Sequence, residues 1–183
     1  MLRAPWHVPS PVSWGHVSTL PTYDDVMQLP ALIEKSVPVD YLDENDHMNI
    51  GRYLEIGSVA LWNLCIDLGL GPDYIEERRL TTFTVEQHLR YFSELRLGDE
   101  MSAHVRLLER SGKAMHSLAF ILDRSRQRLA FILEVSIVNV GMDTRRPADF
   151  PDDIAATLDK VIVEHGSLGW EPPLCGVMGI RRR

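Results

Sequence analysis

The sequence predicts an α+β fold, an antiparallel sheet wrapped around one long central helix. Two periodicities predict it. Ile50, Tyr53, Leu54, Gly57, Leu61, Leu64 and Leu68 recur at the three-and-four spacing of one buried helix face. From Thr81 to Val140 the pattern changes to the two-fold alternation of half-buried strands. A chain of 183 residues with 45% hydrophobic content suffices for one core and is short for two.

Residues 1–35 carry Trp6, Trp14 and several prolines without a clean period and read as an extension that wraps the core. Within it, a helix-like stretch from Tyr23 to Leu29 stops at Pro30. Ala31 to Val39 reads as the first strand, with Pro38 suited to a strand end or edge. The long helix is expected from about Ile50 to Leu68. Asn49 is positioned to cap it, Met48 and Tyr53 to staple its first turn, and Gly69 with Pro72 to stop it.

Thr82, Thr84, Glu86, His88 and Arg90 then share one strand face and Phe83, Val85, Gln87, Leu89 and Tyr91 the other, up to the turn Gly98-Asp99. Met101, Ala103, Val105 and Leu107 alternate in the next strand, which ends near Ser111-Gly112. Ala114–Leu122 and Leu129–Val140 complete four antiparallel strands. Arg145–Pro151 leaves the sheet, Asp152–Glu164 suits a surface helix, and Gly166–Arg183 reads as a tail. The organisation expected is an extension over 1–35, the sheet-and-helix domain over 36–152, and a C-terminal helix and tail over 153–183.

A formal charge of −7 offers no basic face for a phosphate backbone, which excludes nucleic acid as the expected partner. No apolar run approaches the roughly 20 residues that cross a bilayer, and the proline-rich start lacks a signal-peptide core. The expectation is a cytoplasmic protein with no membrane partner. Two cysteines make no disulfide framework, and Cys65 sits in the helical pattern as packing. His104 and His116 have no acid partner evident in the sequence and no glycine-rich phosphate loop occurs, so neither a metal site nor phosphate cradling is expected.

The chemistry concentrates in Tyr41-Leu-Asp43-Glu-Asn45-Asp46-His47-Met48-Asn49-Ile50-Gly51-Arg-Tyr53. It sets an acid, an imidazole and an amide immediately ahead of the helix, where unpaired N–H groups and the positive dipole end can polarise an acyl oxygen. Asp43 is a candidate to activate water or to attack directly. His47 is a candidate to bond a carbonyl or orient Asp43, and Asn49 to position the water or the acyl oxygen. Asp, His and Asn also serve as ordinary turn and cap residues. The N–H groups of Ile50 and Gly51 are the oxyanion candidates.

The Asp43-x-x-x-His47-Met48-Asn49 segment and this element order resemble the hotdog-fold acyl-CoA thioesterases of the 4-hydroxybenzoyl-CoA thioesterase type. The likeness spans about residues 36–152 and includes the strand Thr84–Tyr91, the turn Leu97-Gly98-Asp99, Arg146-Pro147 and Phe150-Pro151. Much of that family carries glycine where this chain has Asp46. The departure bears on the backbone, since glycine takes positive φ freely and aspartate only tolerably.

Asp43-x-Asn45-x-His47-Met48-Asn49 with Glu86-x-His88 is most similar to the betainyl-CoA thioesterases of carnitine and betaine breakdown. That implies a small acyl group, one that bears a trimethylammonium, with Tyr53, Trp62, Tyr91 and Phe92 as candidate rings for a cation–π contact or as plain core. It implies Asp43 as general base or nucleophile, coenzyme A as part of the substrate, no further cofactor, and a homodimer or homotetramer. Glu86 and His88 either reach a neighbouring subunit's site or form a polar pair at a sheet edge. Arg78, Arg79, Arg90 and Arg110 are the candidate cations for CoA. The activity implied is hydrolysis of a small acyl-CoA thioester. The alternatives are an enoyl-CoA hydratase or dehydratase, told apart by crotonyl-CoA absorbance, and a non-catalytic acyl-CoA binding protein.

Overall fold

The computed structural model describes residues 19–180. Five strands, β1 (Ala31–Ser36), β2 (Leu80–Tyr91), β3 (Glu100–Arg110), β4 (Ala114–Asp123) and β5 (Arg128–Gly141), form one antiparallel sheet in the order β1-β3-β4-β5-β2. Helices α1 (Tyr23–Val26), α2 (Ile50–Asp67), α3 (Pro72–Arg78) and α4 (Asp152–Gly166) surround it. The fold is the hotdog arrangement. No single helix among the described residues is long and apolar enough to cross a membrane.

The expected long helix is α2, and its apolar stripe does what the spacing requires. Tyr53, Ile56, Ala60, Leu61 and Cys65 are buried against Met101, Ala103 and Val105 of β3, Ala119 and Ile121 of β4, and Phe131, Leu133 and Val135 of β5. Gly57 lets helix and sheet approach, since a methyl there would stand 3.2 Å from Leu133 Cδ2.

The opposite sheet face is covered too. Leu118, Phe120, Leu122 and Ile132 are buried there beneath Val26 and Leu29 and against Leu168 and Trp170. The segment after α4 is therefore no loose tail: Trp170 stacks edge-on to Phe120 at 5.7 Å between centroids.

Two boundaries differ from expectation. Strand β1 begins at Ala31 and pairs with β3, so the sheet starts before residue 36. Gly69, at φ of +80°, follows the end of α2, but Pro72 starts α3, because proline with Gly71 ahead of it suits a first helical position. Of the expected N-terminal extension, residues 1–18 with Trp6 and Trp14 lie outside the described residues, as do Arg181–Arg183.

Candidate active site

The segment between β1 and α2 folds back on itself before the helix begins. Asp43 N–H donates to the His47 carbonyl at 3.0 Å, Asp46 N–H to the Asp43 carbonyl at 3.2 Å, and Leu42 bridges Met48. Asp46 makes this loop possible by taking φ of +62°, the left-handed conformation that glycine adopts most easily. The loop is then tied down at its exit, where Met48 N–H donates to Leu95 O at 2.7 Å and Asn49 N–H to Tyr41 O at 2.8 Å.

The result brings Asp43 and His47 together. Asp43 Oδ1 lies 3.5 Å from His47 Nδ1, with the aspartate side chain 13% exposed and the imidazole 34%. The same Oδ1 accepts Asn45 N–H at 2.8 Å, which fixes the carboxylate's orientation. Asn49 caps the helix as expected: its Oδ1 accepts Gly51 N–H at 2.9 Å and its carbonyl accepts Arg52 N–H at 2.9 Å.

That cap engages one of the two N–H groups expected to face a ligand. The Gly51 N–H is occupied by Asn49 Oδ1, which keeps a second lone pair, as the Asn49 amide keeps its N–H donors. With Met48, Asn49, Gly51 and Arg52 all donating within the protein, Ile50 N–H is the remaining donor at this helix start among the described residues, and Ile50 itself is 67% exposed. A cleft of about 490 Å³ opens beside it, lined by Asp40, Leu42, Asn49, Gly51, Arg52 and Glu55.

The other expected residues divide. Tyr53 is buried, its hydroxyl accepting Leu95 N–H at 2.9 Å and facing Ser93 O at 3.3 Å, and burial pushes its phenol up to about 12. It braces the loop that holds Met48 rather than opening to a ligand. Tyr91 packs at 5.5 Å from Tyr53 and 4.9 Å from Phe131, with its hydroxyl 3.3 Å from Ile50 O, and is 46% exposed at the helix start. Trp62 stands on the exposed side of α2 three turns on, about 18 Å along the axis from Ile50.

Glu86 and His88 share a strand face, but it is the one turned away from α2. His88 pairs across strands with Glu134 and Glu86 with Ser136, so the chain does not bring them to Asp43. The arginines offered for CoA are committed as well. Arg78 binds Asp153, Arg79 binds Asp143, Arg110 binds Asp159, and Arg90 donates to Pro173 O. Cys65 is buried and its thiol is pushed up to about 12, in keeping with a packing role.

His116 was expected to lack an acid and in fact has two. Its Nε2 lies 3.1 Å from Glu134 Oε1 and its Nδ1 3.6 Å from Glu109 Oε1. Glu134 had a readable signal, being the one charged residue in the apolar run Leu129–Val140.

Residues 37–158 match the thioesterase-like superfamily. The chain belongs to that superfamily. Over 142 residues it is 28% identical to the betainyl-CoA thioesterase of Pseudomonas aeruginosa, covering 77% of this chain and 89% of that one. It is 26% identical over 153 residues to the L-carnitine dehydrogenase/betainyl-CoA thioesterase of Ruegeria pomeroyi, covering 82% of this chain but 31% of that protein. Among solved structures, a Staphylococcus aureus protein in complex with CoA superposes with a TM-score of 0.74 at 24% identity, over 84% of this chain and 97% of that one. This superfamily member thus carries the hotdog scaffold over most of its length.

Proposed function

We propose that the protein hydrolyses a small acyl-CoA thioester to the free acid and CoA, with Asp43 as general base and the acyl group cationic, of the betainyl kind. The observation that carries the reading is the Asp43–His47 pair at 3.5 Å immediately before the capped start of α2. Superfamily membership, two betainyl-CoA thioesterase relatives and a CoA-bound structural neighbour support the substrate class.

In this reading Asp43 takes a proton from water as the water oxygen bonds to the thioester carbon. The carbonyl oxygen, now anionic, is stabilised by Ile50 N–H and the helix dipole. Collapse of the tetrahedral species breaks the C–S bond, and the proton held by Asp43 passes to the departing thiolate. His47 steers the carboxylate. The half-exposed Tyr91 ring beside Ile50 is the surface for a trimethylammonium group.

β2 is one of the sheet's two edge strands, and on it Phe83 is 41% and Val85 61% exposed. An unpaired apolar edge supports a homo-oligomer, dimer or tetramer, that covers it.

The test is release of free thiol from a panel of acyl-CoAs, betainyl-CoA included. Turnover by the wild type that is lost in Asp43→Asn and Asp43→Ala supports the reading. No hydrolysis of any member, or undiminished turnover in Asp43→Ala, overturns it.

A further inference from the structure

Behind the sheet, on the face away from Asp43, folding assembles a donor set that no local stretch of sequence contains. His88 of β2, Glu134 of β5 and Cys175 of the C-terminal segment each offer one ligand atom, and the three atoms lie within 4.8 Å of one another. The cross-strand pairing of His88 with Glu134 puts both on one face, and the chain after α4 crosses that face to deliver Cys175.

The surroundings are those of a built site. Glu134 has no exposed side-chain surface, and both of its oxygens are held: His116 Nε2 at 3.1 Å on one, Cys175 N–H at 2.7 Å on the other. His116 is fixed in turn by Glu109 at 3.6 Å. Nδ1 of the half-buried His88, by contrast, is itself buried with no hydrogen-bond partner among the described residues, which leaves a buried polar atom without compensation. Burial by itself would raise the Glu134 carboxyl, but the bonds from His116 and Cys175 outweigh it and hold it below the ordinary value.

We propose that His88, Glu134 and Cys175 bind a divalent transition-metal ion of the zinc class, which fastens the C-terminal segment to the outer face of the sheet. One thiolate, one imidazole and one carboxylate match the ligand preferences of zinc. Bonds of about 2.0–2.3 Å to a tetrahedral ion put its ligand atoms about 3.3–3.8 Å apart, so the side chains close in by about 1 Å. The Cys175 thiol gives up its proton to solvent on binding. The carboxylate and thiolate balance the ion's two charges, and Arg90, which also faces Glu134 and Cys175, donates to the Pro173 carbonyl. His116 orients Glu134 from behind.

The experiment is titration of the full chain with Co²⁺ and then Zn²⁺. The expected result is one ion per chain, a thiolate-to-cobalt charge-transfer band in the near ultraviolet that zinc bleaches, and release of a proton. Cys175→Ser keeps the backbone bond to Glu134 and loses the band. His88→Ala lowers zinc affinity about tenfold or more, and zinc protects the wild-type C-terminal segment, but not that of either variant, from proteolysis. Wild-type protein without the band, or variants that bind zinc as the wild type does, would overturn the proposal.

Discussion

Asp43 and His47 are joined twice, the main-chain N–H of the first donating to the carbonyl of the second at 3.0 Å while Oδ1 and Nδ1 face each other at 3.5 Å. The backbone bond fixes the distance between the two Cα atoms, so the side chains need little further ordering to meet. A carboxylate held this way is available to water without a conformational step.

Removing that carboxylate should therefore act on kcat. Asp43→Asn is expected to lower kcat by about 10²–10⁴-fold, the usual worth of a general base, with the thermal midpoint almost unchanged. Single turnover in ¹⁸O-water separates the base from a nucleophile: as a base Asp43 gains no label, and label in its carboxylate would mean an anhydride intermediate.

The loop depends on Asp46 at φ of +62°. Asp46→Gly is expected to leave stability within about 1 kcal/mol, because relief of strain opposes the greater freedom of the unfolded chain. Asp46→Val, with a branched side chain in a left-handed conformation, should lose about 1–2 kcal/mol and impair turnover by shifting Asp43 from His47. Urea midpoints and kcat of the two variants check this.

Tyr53→Phe removes a hydroxyl that accepts from Leu95 N–H and donates to Ser93 O. It strands the buried Leu95 N–H, which now donates to the phenol at 2.9 Å, and should cost about 1–3 kcal/mol in urea denaturation. Since Leu95 also anchors Met48, the variant should lower kcat more than it raises KM.

Acid sensitivity should come from two buried imidazoles. Burial holds His104 and His165 below the ordinary value, and His165 Nδ1 accepts Leu107 N–H at 2.9 Å, which requires it unprotonated. Their unfolded counterparts bind protons first as pH falls. Their contribution to stability is thus complete above about pH 6.5 and is lost progressively below it, toward the lower folded values. His165→Asn keeps an acceptor and removes the titration, so the slope of unfolding free energy between pH 6.5 and 5 should fall by up to about 1.4 kcal/mol per pH unit. An unchanged slope would count against this origin.

The scaffold was readable because its signals are local and repetitive. The α2 stripe and the two-fold alternation each need only near neighbours, and Asn49 caps α2 from the residue next to it. What could not be read depends on pairing between distant segments. Arg78, Arg79 and Arg110 look like free cations until Asp153, Asp143 and Asp159 arrive from other elements. His88 has its face settled by the pairing with β5, which no residue near it announces. At the helix start, the identity of the donors was legible but their occupancy was not, because Asn49 could serve either the helix or a ligand.

The covering of Leu118, Phe120, Leu122 and Ile132 by Leu168 and Trp170 bears on how the protein should be handled. Shortening the chain after α4 would bare a continuous greasy strip across the middle strands, and such a strip invites aggregation in a folded molecule. A soluble expression product therefore has to keep the stretch through Trp170, and affinity tags placed at that end need a spacer long enough to leave its course undisturbed.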